Sequence, residues 1–254
     1  MLESYLKERL EKKDILLMTH IVLGYPTFED SFKTIKSMVK GGVDLIELQI
    51  PFSEPIADGP VILHANQKSL AEGSTVEKCL DFTREVTELF NIPFLFMTYY
   101  NILFKYGVDR FADKMKKNGL QGAIVPDLPP EEGEVYIEAM EKNSLSPIFI
   151  FSPTTPFKRM QYLASFAKGF IYCVARKGVT GSETSFSANM STYLDQCRQA
   201  TELPLALGFG VRKKSDIDFL KGKVDIAVIG SETIRLIDKE GTGVVEEFIR
   251  SLTG

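Results

Sequence analysis

Eight short apolar runs recur along the chain, mostly at intervals of about 23–33 residues, and this recurrence constrains the fold more than any other feature. Each run is rich in β-branched or aromatic residues, which is typical of strands covered on both faces of a parallel sheet. The charged stretches between the runs have helical periodicity, and several end at glycine, where helices commonly stop. The runs begin at Ile15, Asp44, Pro93, Gly122, Ser146, Gly169, Leu203 and Val224.

This alternation predicts a single (β/α)8 TIM barrel over residues 1–254, preceded by a short N-terminal helix. The length of 254 residues is usual for such a barrel, and no Pro/Ser-rich linker or shift in composition divides the chain. An open doubly wound sheet is the structural alternative, which eight regular units disfavour.

The interval between the second and third runs is longer than the others, at about 50 residues. It contains PFSEPIADGP and then VILHANQKSLAEG, which predict a long loop and an extra helix after strand 2. Further along, PEEGEVYIEAMEKNS is expected to begin a helix at Pro130, because proline and acidic side chains favour the first helical turn.

Composition excludes several classes of function. A net charge of -4 gives no basic surface for nucleic acid or an anionic membrane. The charged N-terminal segment MLESYLKERLEKKD lacks the apolar core of a signal peptide, and no run is long enough to span a membrane. Cys79, Cys173 and Cys197 form no disulfide or zinc pattern, so a reducing cytoplasm is expected. With only His20 and His64, a multi-histidine metal site is excluded.

Glu47 is the strongest candidate for chemistry. In DLIELQI the apolar side chains of Ile46, Leu48 and Ile50 share one face, which must meet the helices, so Glu47 and Gln49 point into the barrel. Active sites of such barrels lie at the carboxyl ends of the strands, where Glu47 is expected to act as a general acid/base. The alternative is a structural carboxylate bonded to a neighbouring strand.

Asp58 lies in the long loop after the same strand, within PIADGP. Asp before Gly most often shapes a turn, which is the alternative interpretation. Its position over the same end of the barrel as Glu47 favours a second functional carboxylate.

Three glycine-bearing turns end the last three units: RKGVTGSE, LGFGVRKK and IGSETI. Backbone N–H groups at such turns and at helix N-termini bind phosphate, and barrels often hold a phosphate after strands seven and eight. Ser231 is expected to be the N-cap of the helix that follows Gly230. The patterns of nucleotide phosphate loops are absent.

Long stretches of the sequence resemble the tryptophan synthase alpha subunit family. The segment IELQIPFSEPIADGP matches its signature, and the likeness continues along nearly the whole chain. The matching segments include MTYYNILFKYG, GAIVPDLPPEE, SPIFIFSPTTP, YCVARKGVTGSE, LGFGV and VIGSETI.

The resemblance implies a lyase that cleaves indole-3-glycerol phosphate to indole and glyceraldehyde 3-phosphate without a metal or organic cofactor of its own. Glu47 would be the general acid/base, and Asp58 would bind the indole N–H. The residues expected to bind the indole and the phosphate are Tyr99, Tyr172, Thr180, Gly181, Phe209, Gly210, Gly230 and Ser231. The partner implied is a PLP-dependent beta subunit in an α2β2 complex, which would receive the indole for synthesis of L-tryptophan.

Three positions depart from the usual family pattern. Gln49 replaces a common glycine, His20 stands where Phe or Tyr is usual, and Glu54 replaces the Asp of FSDP. His20 is interpreted as a core or pocket-lining residue. These changes leave open a catalytically weak alpha subunit that acts mainly as an activator of the beta subunit. Another phosphosugar barrel, an isomerase or epimerase, is a third hypothesis.

Overall fold

Eight parallel strands form a closed barrel, in which β8 pairs with both β7 and β1. The computed structural model describes residues 2–175, 188–208 and 210–253. Every predicted apolar run contains one strand, so the barrel is confirmed and the open sheet is excluded. The strands are β1 (Leu16–Val22), β2 (Leu45–Gln49), β3 (Phe94–Met97), β4 (Gly122–Ile124), β5 (Ser146–Phe151), β6 (Ile171–Val174), β7 (Leu205–Gly208) and β8 (Ile226–Ile229).

Helices follow the strands around the outside of the barrel. Both additions to the regular pattern are present as predicted: α1 before the first strand and α3 after β2. The helices are α1 (Leu2–Leu10), α2 (Phe28–Gly41), α3 (Pro60–Ala71), α4 (Val76–Leu89), α5 (Tyr100–Tyr106), α6 (Val108–Lys117), α7 (Glu134–Lys142), α8 (Phe157–Phe166), α9 (Ala188–Ala200), α10 (Lys214–Leu220), α11 (Ser231–Glu240) and α12 (Val245–Thr253).

Local sequence explains where these helices begin and end. Thr27 caps α2 by accepting a hydrogen bond from the Asp30 N–H, and Gly42 ends it in the left-handed region with φ of 96°. The expected helix start at Pro130 is wrong by one turn: Pro130–Glu132 form a separate 3-10 turn, and α7 begins only after Gly133. None of the helices in the described part of the chain is long and apolar enough to cross a membrane.

The side chains of β2 alternate between two hydrophobic environments, as the sequence predicted. Ile46, Leu48 and Ile50 pack against the helices in the outer core, whereas Leu45 joins the cluster inside the barrel. Glu47 therefore points inward, together with Gln49, and both are buried.

Helix α1 closes the amino-terminal end of the barrel. Leu2 and Leu6 belong to the same inner cluster as Leu45. Asp44, fully buried at the start of β2, anchors this helix: its Oδ1 lies 2.6 Å from Arg9 Nη2 and 2.8 Å from Lys13 Nζ. Apolar side chains fill this end of the barrel. The polar groups that point into the barrel from β1 and β2 lie at the other end, its carboxyl-terminal mouth.

Candidate active site

Two adjacent strands bring His20 and Glu47 together at the mouth of the barrel. The parallel register of β1 and β2 pairs the two residues directly, and both side chains point inward. His20 Nδ1 lies 3.1 Å from Glu47 Oε1, and the two side chains are 6% and 4% exposed. The other carboxylate oxygen, Oε2, has no hydrogen-bond partner within the described residues. Glu47 thus keeps one oxygen for a ligand.

The loop between β2 and α3 returns Asp58 to the same site. Its Oδ2 accepts hydrogen bonds from Gln49 Nε2 at 2.6 Å and from Asn66 Nδ2 at 3.1 Å. Asn66 also ties down the start of the loop, because its Oδ1 accepts from the Phe52 N–H at 3.0 Å. Asp58 is consequently buried and fixed, and the alternative of a simple surface turn does not describe it.

Tyr99 completes the surroundings of Asp58. Its hydroxyl accepts the Ala57 N–H at 3.2 Å and lies close enough to the Asp58 carboxylate to lower its pKa. The ring stacks on Phe52 with 5.1 Å between ring centroids. Tyr99 therefore joins the loop to the strand end, beside the position expected for an aromatic ligand.

Tyr172 approaches the carboxylates from β6, on the other side of the mouth. Its hydroxyl occupies space that a side chain at Gly208 would need, since a Cβ there would lie 2.9 Å from that oxygen. The charges of Glu47 and Asp58 both act on Tyr172. Its neighbour Gly208 is thus a glycine for steric reasons.

Burial changes the acidity of these groups in different directions. Desolvation raises the pKa of Asp58 above its ordinary value, although the hydrogen bond from Gln49 opposes this shift. Burial lowers the pKa of His20, but the charge and hydrogen bond of Glu47, with the charge of Asp58, outweigh it and leave that pKa raised. Burial also raises the pKa of Tyr99 and Tyr172, so both hydroxyls are neutral at physiological pH.

The expected phosphate end is described in part. Gly210 adopts φ of 79°, which favours glycine, and a Cβ there would meet nothing within 4 Å. The prediction that Ser231 is an N-cap is wrong: Gly230 is the cap, and Ser231 is the first residue of α11. Since glycine has no side chain to bond the first N–H groups, this helix end suits an anion. Thr180, Gly181 and Phe209 lie outside the described residues.

Sequence reasoning missed one member of the site. Asn66 is fully buried on the inner face of α3, together with Ile62, Ala65 and Ser69. The spacing of these four positions is helical, so a polar residue among them was a detectable signal. Within the residues that the structure describes, no three His, Cys, Asp or Glu side chains are grouped as metal ligands.

The loops around the mouth carry exposed apolar side chains. Ile56, in the loop after β2, and Phe104, in α5 after β3, are each 70% exposed. Since β2 and β3 are neighbours, the two residues belong to adjacent parts of the rim. Contiguous patches of exposed apolar side chains are typical of surfaces that bind another protein, whereas single ones are common on any surface.

Comparisons with known proteins agree over the full chain. The sequence profile of the tryptophan synthase alpha chain family matches residues 6–252. The tryptophan synthase alpha chain of Desulforapulum autotrophicum is 62% identical over 252 residues, covering 99% of this chain and 100% of that one. A tryptophan synthase structure from Mycobacterium tuberculosis has a TM-score of 0.92 at 27% identity, covering 99% of this chain and 96% of its own. A tryptophan synthase complex from Pyrococcus furiosus has a TM-score of 0.86 at 25% identity, covering 93% and 97%.

Proposed function

The chain belongs to the tryptophan synthase alpha chain family, and we propose that Glu47 and Asp58 carry out the family's reaction in it. That reaction, a lyase step of tryptophan biosynthesis, splits indole-3-glycerol phosphate into indole and glyceraldehyde 3-phosphate. The observation that carries the proposal is the meeting of two buried carboxylates at the mouth of the barrel, one of them with an unpartnered oxygen in the described structure.

Glu47 would transfer protons at both ends of the bond that breaks. In its acid form it donates a proton to C3 of the indole ring, which converts the ring into a leaving group. As a carboxylate it accepts the proton of the adjacent glycerol hydroxyl, while that oxygen becomes the aldehyde carbonyl and the C–C bond breaks. Proton number balances, because the same group gives one proton and takes one back. The unpartnered Oε2 atom supports this assignment.

Asp58 would stabilise the charge that develops during this transfer. Protonation at C3 makes the ring nitrogen positive, and a carboxylate that accepts the indole N–H favours that state. Gln49 and Asn66 hold the Asp58 carboxylate in place before substrate arrives. A fixed charge of this kind need not reorganise during the reaction.

The remaining substrate contacts are proposed by position. Tyr99 and Tyr172 would flank the indole, and Gly210, Gly230 and Ser231 would bind the phosphate. Thr180, Gly181 and Phe209 stay predicted substrate contacts. The C–C bond breaks with the aid of proton transfers alone, so we infer that this chain supplies the chemistry with no cofactor of its own.

Alpha chains of this family work with a beta subunit, and PLP belongs to that subunit. We propose an α2β2 complex in which the rim bearing Ile56 and Phe104 faces the partner and indole passes to it. Residues 1–254 would be one domain in this assembly, which the closed barrel and the profile match to residues 6–252 support. The three cysteines form no disulfide pattern, which supports a cytoplasmic location.

An assay of indole release from indole-3-glycerol phosphate, with and without the cognate beta subunit, tests the function. We expect slow release by the free chain and at least about tenfold faster release in the complex. Binding of the beta subunit would favour the closed state of the mouth, which excludes water from the site. No release in either state, together with a faster beta reaction, would indicate an activator only. No release and no effect on the beta reaction would contradict both functions and favour another phosphosugar enzyme.

A further inference from the structure

We propose that His20 is a positioning residue for Glu47: its Nδ1 holds one carboxylate oxygen, so that the other is presented to the substrate. The inference rests on the function proposed above, in which Glu47 transfers protons during cleavage. It assigns to His20 a part in the reaction that a packing residue would not have.

The backbone fixes this pair before any ligand binds. His20 and Glu47 are paired residues of neighbouring strands, so their separation is set by the sheet. His20 Nδ1 lies 3.1 Å from Glu47 Oε1, and both side chains are almost completely buried. Groups on strands of a barrel are held more precisely than groups on loops. The rotamer of Glu47 is therefore restricted by its neighbour.

The two oxygens of Glu47 are not equivalent. Oε1 lies against His20 Nδ1, whereas Oε2 has no partner in the described part of the chain. Buried polar atoms are almost always hydrogen-bonded in folded proteins, so an exception at a mouth lined by polar groups indicates an atom that awaits a ligand. The imidazole thus selects which oxygen of the carboxylate reacts.

Charge around His20 favours its protonated form. Among the described residues, the charged groups that face it are Glu47 on β2 and Asp58 in the following loop. The hydroxyls of Tyr99 and Tyr172, whose pKa values burial raises, are neutral and add no charge. Gly230 approaches from the end of β8, where a Cβ would lie 3.8 Å from the His20 Cβ, and contributes no charge. An imidazolium at this position offsets one of two buried negative charges.

Steady-state kinetics of variants in the complex with the beta subunit test this role. We expect His20→Leu to lower kcat at least about tenfold with KM changed less than about threefold, because the carboxylate loses its orientation and the phosphate contacts remain. His20→Asn, whose amide nitrogen replaces Nδ1, should restore kcat to within about threefold of the wild type. His64→Gln, on the exposed side of α3, is the matched control.

Proton NMR gives a readout that does not depend on activity. The chain has two histidines, so the His20 signal is assigned by its persistence in His64→Gln. We expect Glu47→Gln to lower the pKa of His20 by about one unit or more, because burial then acts against the imidazolium without the opposing charge.

The outcomes separate this inference from the proposed function. Absence of cleavage by the wild-type complex would contradict the function, while the titration would still test the pair. Normal kcat in His20→Leu, or no recovery in His20→Asn, would overturn the positioning role in an active enzyme. An unchanged His20 titration in Glu47→Gln would overturn it as well. If His20→Leu fails to fold, the Asn variant and the titration decide.

Discussion

Gln49 Nε2 lies 2.6 Å from Asp58 Oδ2, so a strand residue directly holds the carboxylate of the loop that follows it. The bond joins residues nine positions apart and is buried. Gln49 stands where glycine is usual in the family. This contact explains how the longer side chain is accommodated, because the Gln49 amide bonds Asp58. The Gln49 side chain therefore helps to hold the Asp58 carboxylate in position.

Replacing this donor by an acid of the same shape is expected to impair catalysis. Gln49→Glu removes a hydrogen bond to a charged group and places a second carboxylate beside Asp58, which raises the pKa of Asp58 further. We expect kcat/KM for cleavage to fall by at least about tenfold, since hydrogen bonds to charged groups contribute about 1.5–3 kcal/mol. Steady-state assays with the beta subunit measure this, and an unchanged kcat/KM would show that Gln49 is dispensable.

Asp58 is expected to lower the stability of the fold at neutral pH. Its pKa is raised in the folded protein, mainly by burial, so folding favours the protonated form. Its contribution to stability is greatest below the ordinary Asp pKa of about 3.9 and is lost as pH rises through the folded pKa. Asp58→Asn should therefore raise the urea midpoint at pH 7, with a smaller difference near pH 4. If the difference in urea midpoint between Asp58→Asn and the wild type grows as pH falls, the expected effect of burial on Asp58 is contradicted.

Asp44 is expected to contribute strongly to stability through α1. It is fully buried and bonded to Arg9, Lys13 and the Leu17 N–H, so Asp44→Asn removes several charge-assisted bonds together. We expect a loss of about 1.5–3 kcal/mol in the free energy of unfolding, measured by urea denaturation. Glu8→Gln, which breaks an exposed ion pair with Lys12, is the control and should leave the midpoint unchanged. Equal effects of the two substitutions on the urea midpoint would show that Asp44 does not anchor α1.

The apolar rim is expected to bind the beta subunit. Phe104→Ala should weaken the complex at least about tenfold in a titration calorimetry measurement, because aromatic side chains buried at an interface dominate its affinity. Leu89→Ala is the control. Leu89 is also exposed, at 59%, but it ends α4 just before β3 and so lies toward the amino-terminal end of the barrel, away from the mouth. An unchanged affinity in Phe104→Ala would place the interface elsewhere.

The barrel and its two carboxylates were predictable because their signals are local. The individual apolar runs, the alternation in β2 and the PFSEPIADGP loop after it are each readable within about ten residues, and the last two locate Glu47 and Asp58. Asp44 was missed because its role depends on Arg9, a partner 35 residues away in the chain. The helical spacing of α3 could have shown that Asn66 is buried, but not that it bonds the Phe52 N–H. Such contacts exist only after the fold forms.

The hydrogen-bond partners of inward-pointing polar side chains were also beyond the sequence. That Gln49 points inward follows from alternation, but its choice of Asp58 as acceptor depends on how the loop returns. The same holds for His20, whose contact with Glu47 requires the register between β1 and β2. At Ser231 the sequence pattern was ambiguous, because glycine and serine both serve as N-caps.

The central claim is that Glu47 transfers the protons of cleavage, and turnover by Glu47→Gln in the complex tests it most directly. Indole release is measured at saturating substrate for the wild type, Glu47→Gln and the exposed control Glu88→Gln, with phosphate-ligand binding measured in parallel. We expect Glu47→Gln to fold and bind the phosphate normally but to turn over at least about a hundredfold more slowly, as for loss of a general acid/base, with Glu88→Gln unchanged. Near-normal turnover by Glu47→Gln would contradict the account.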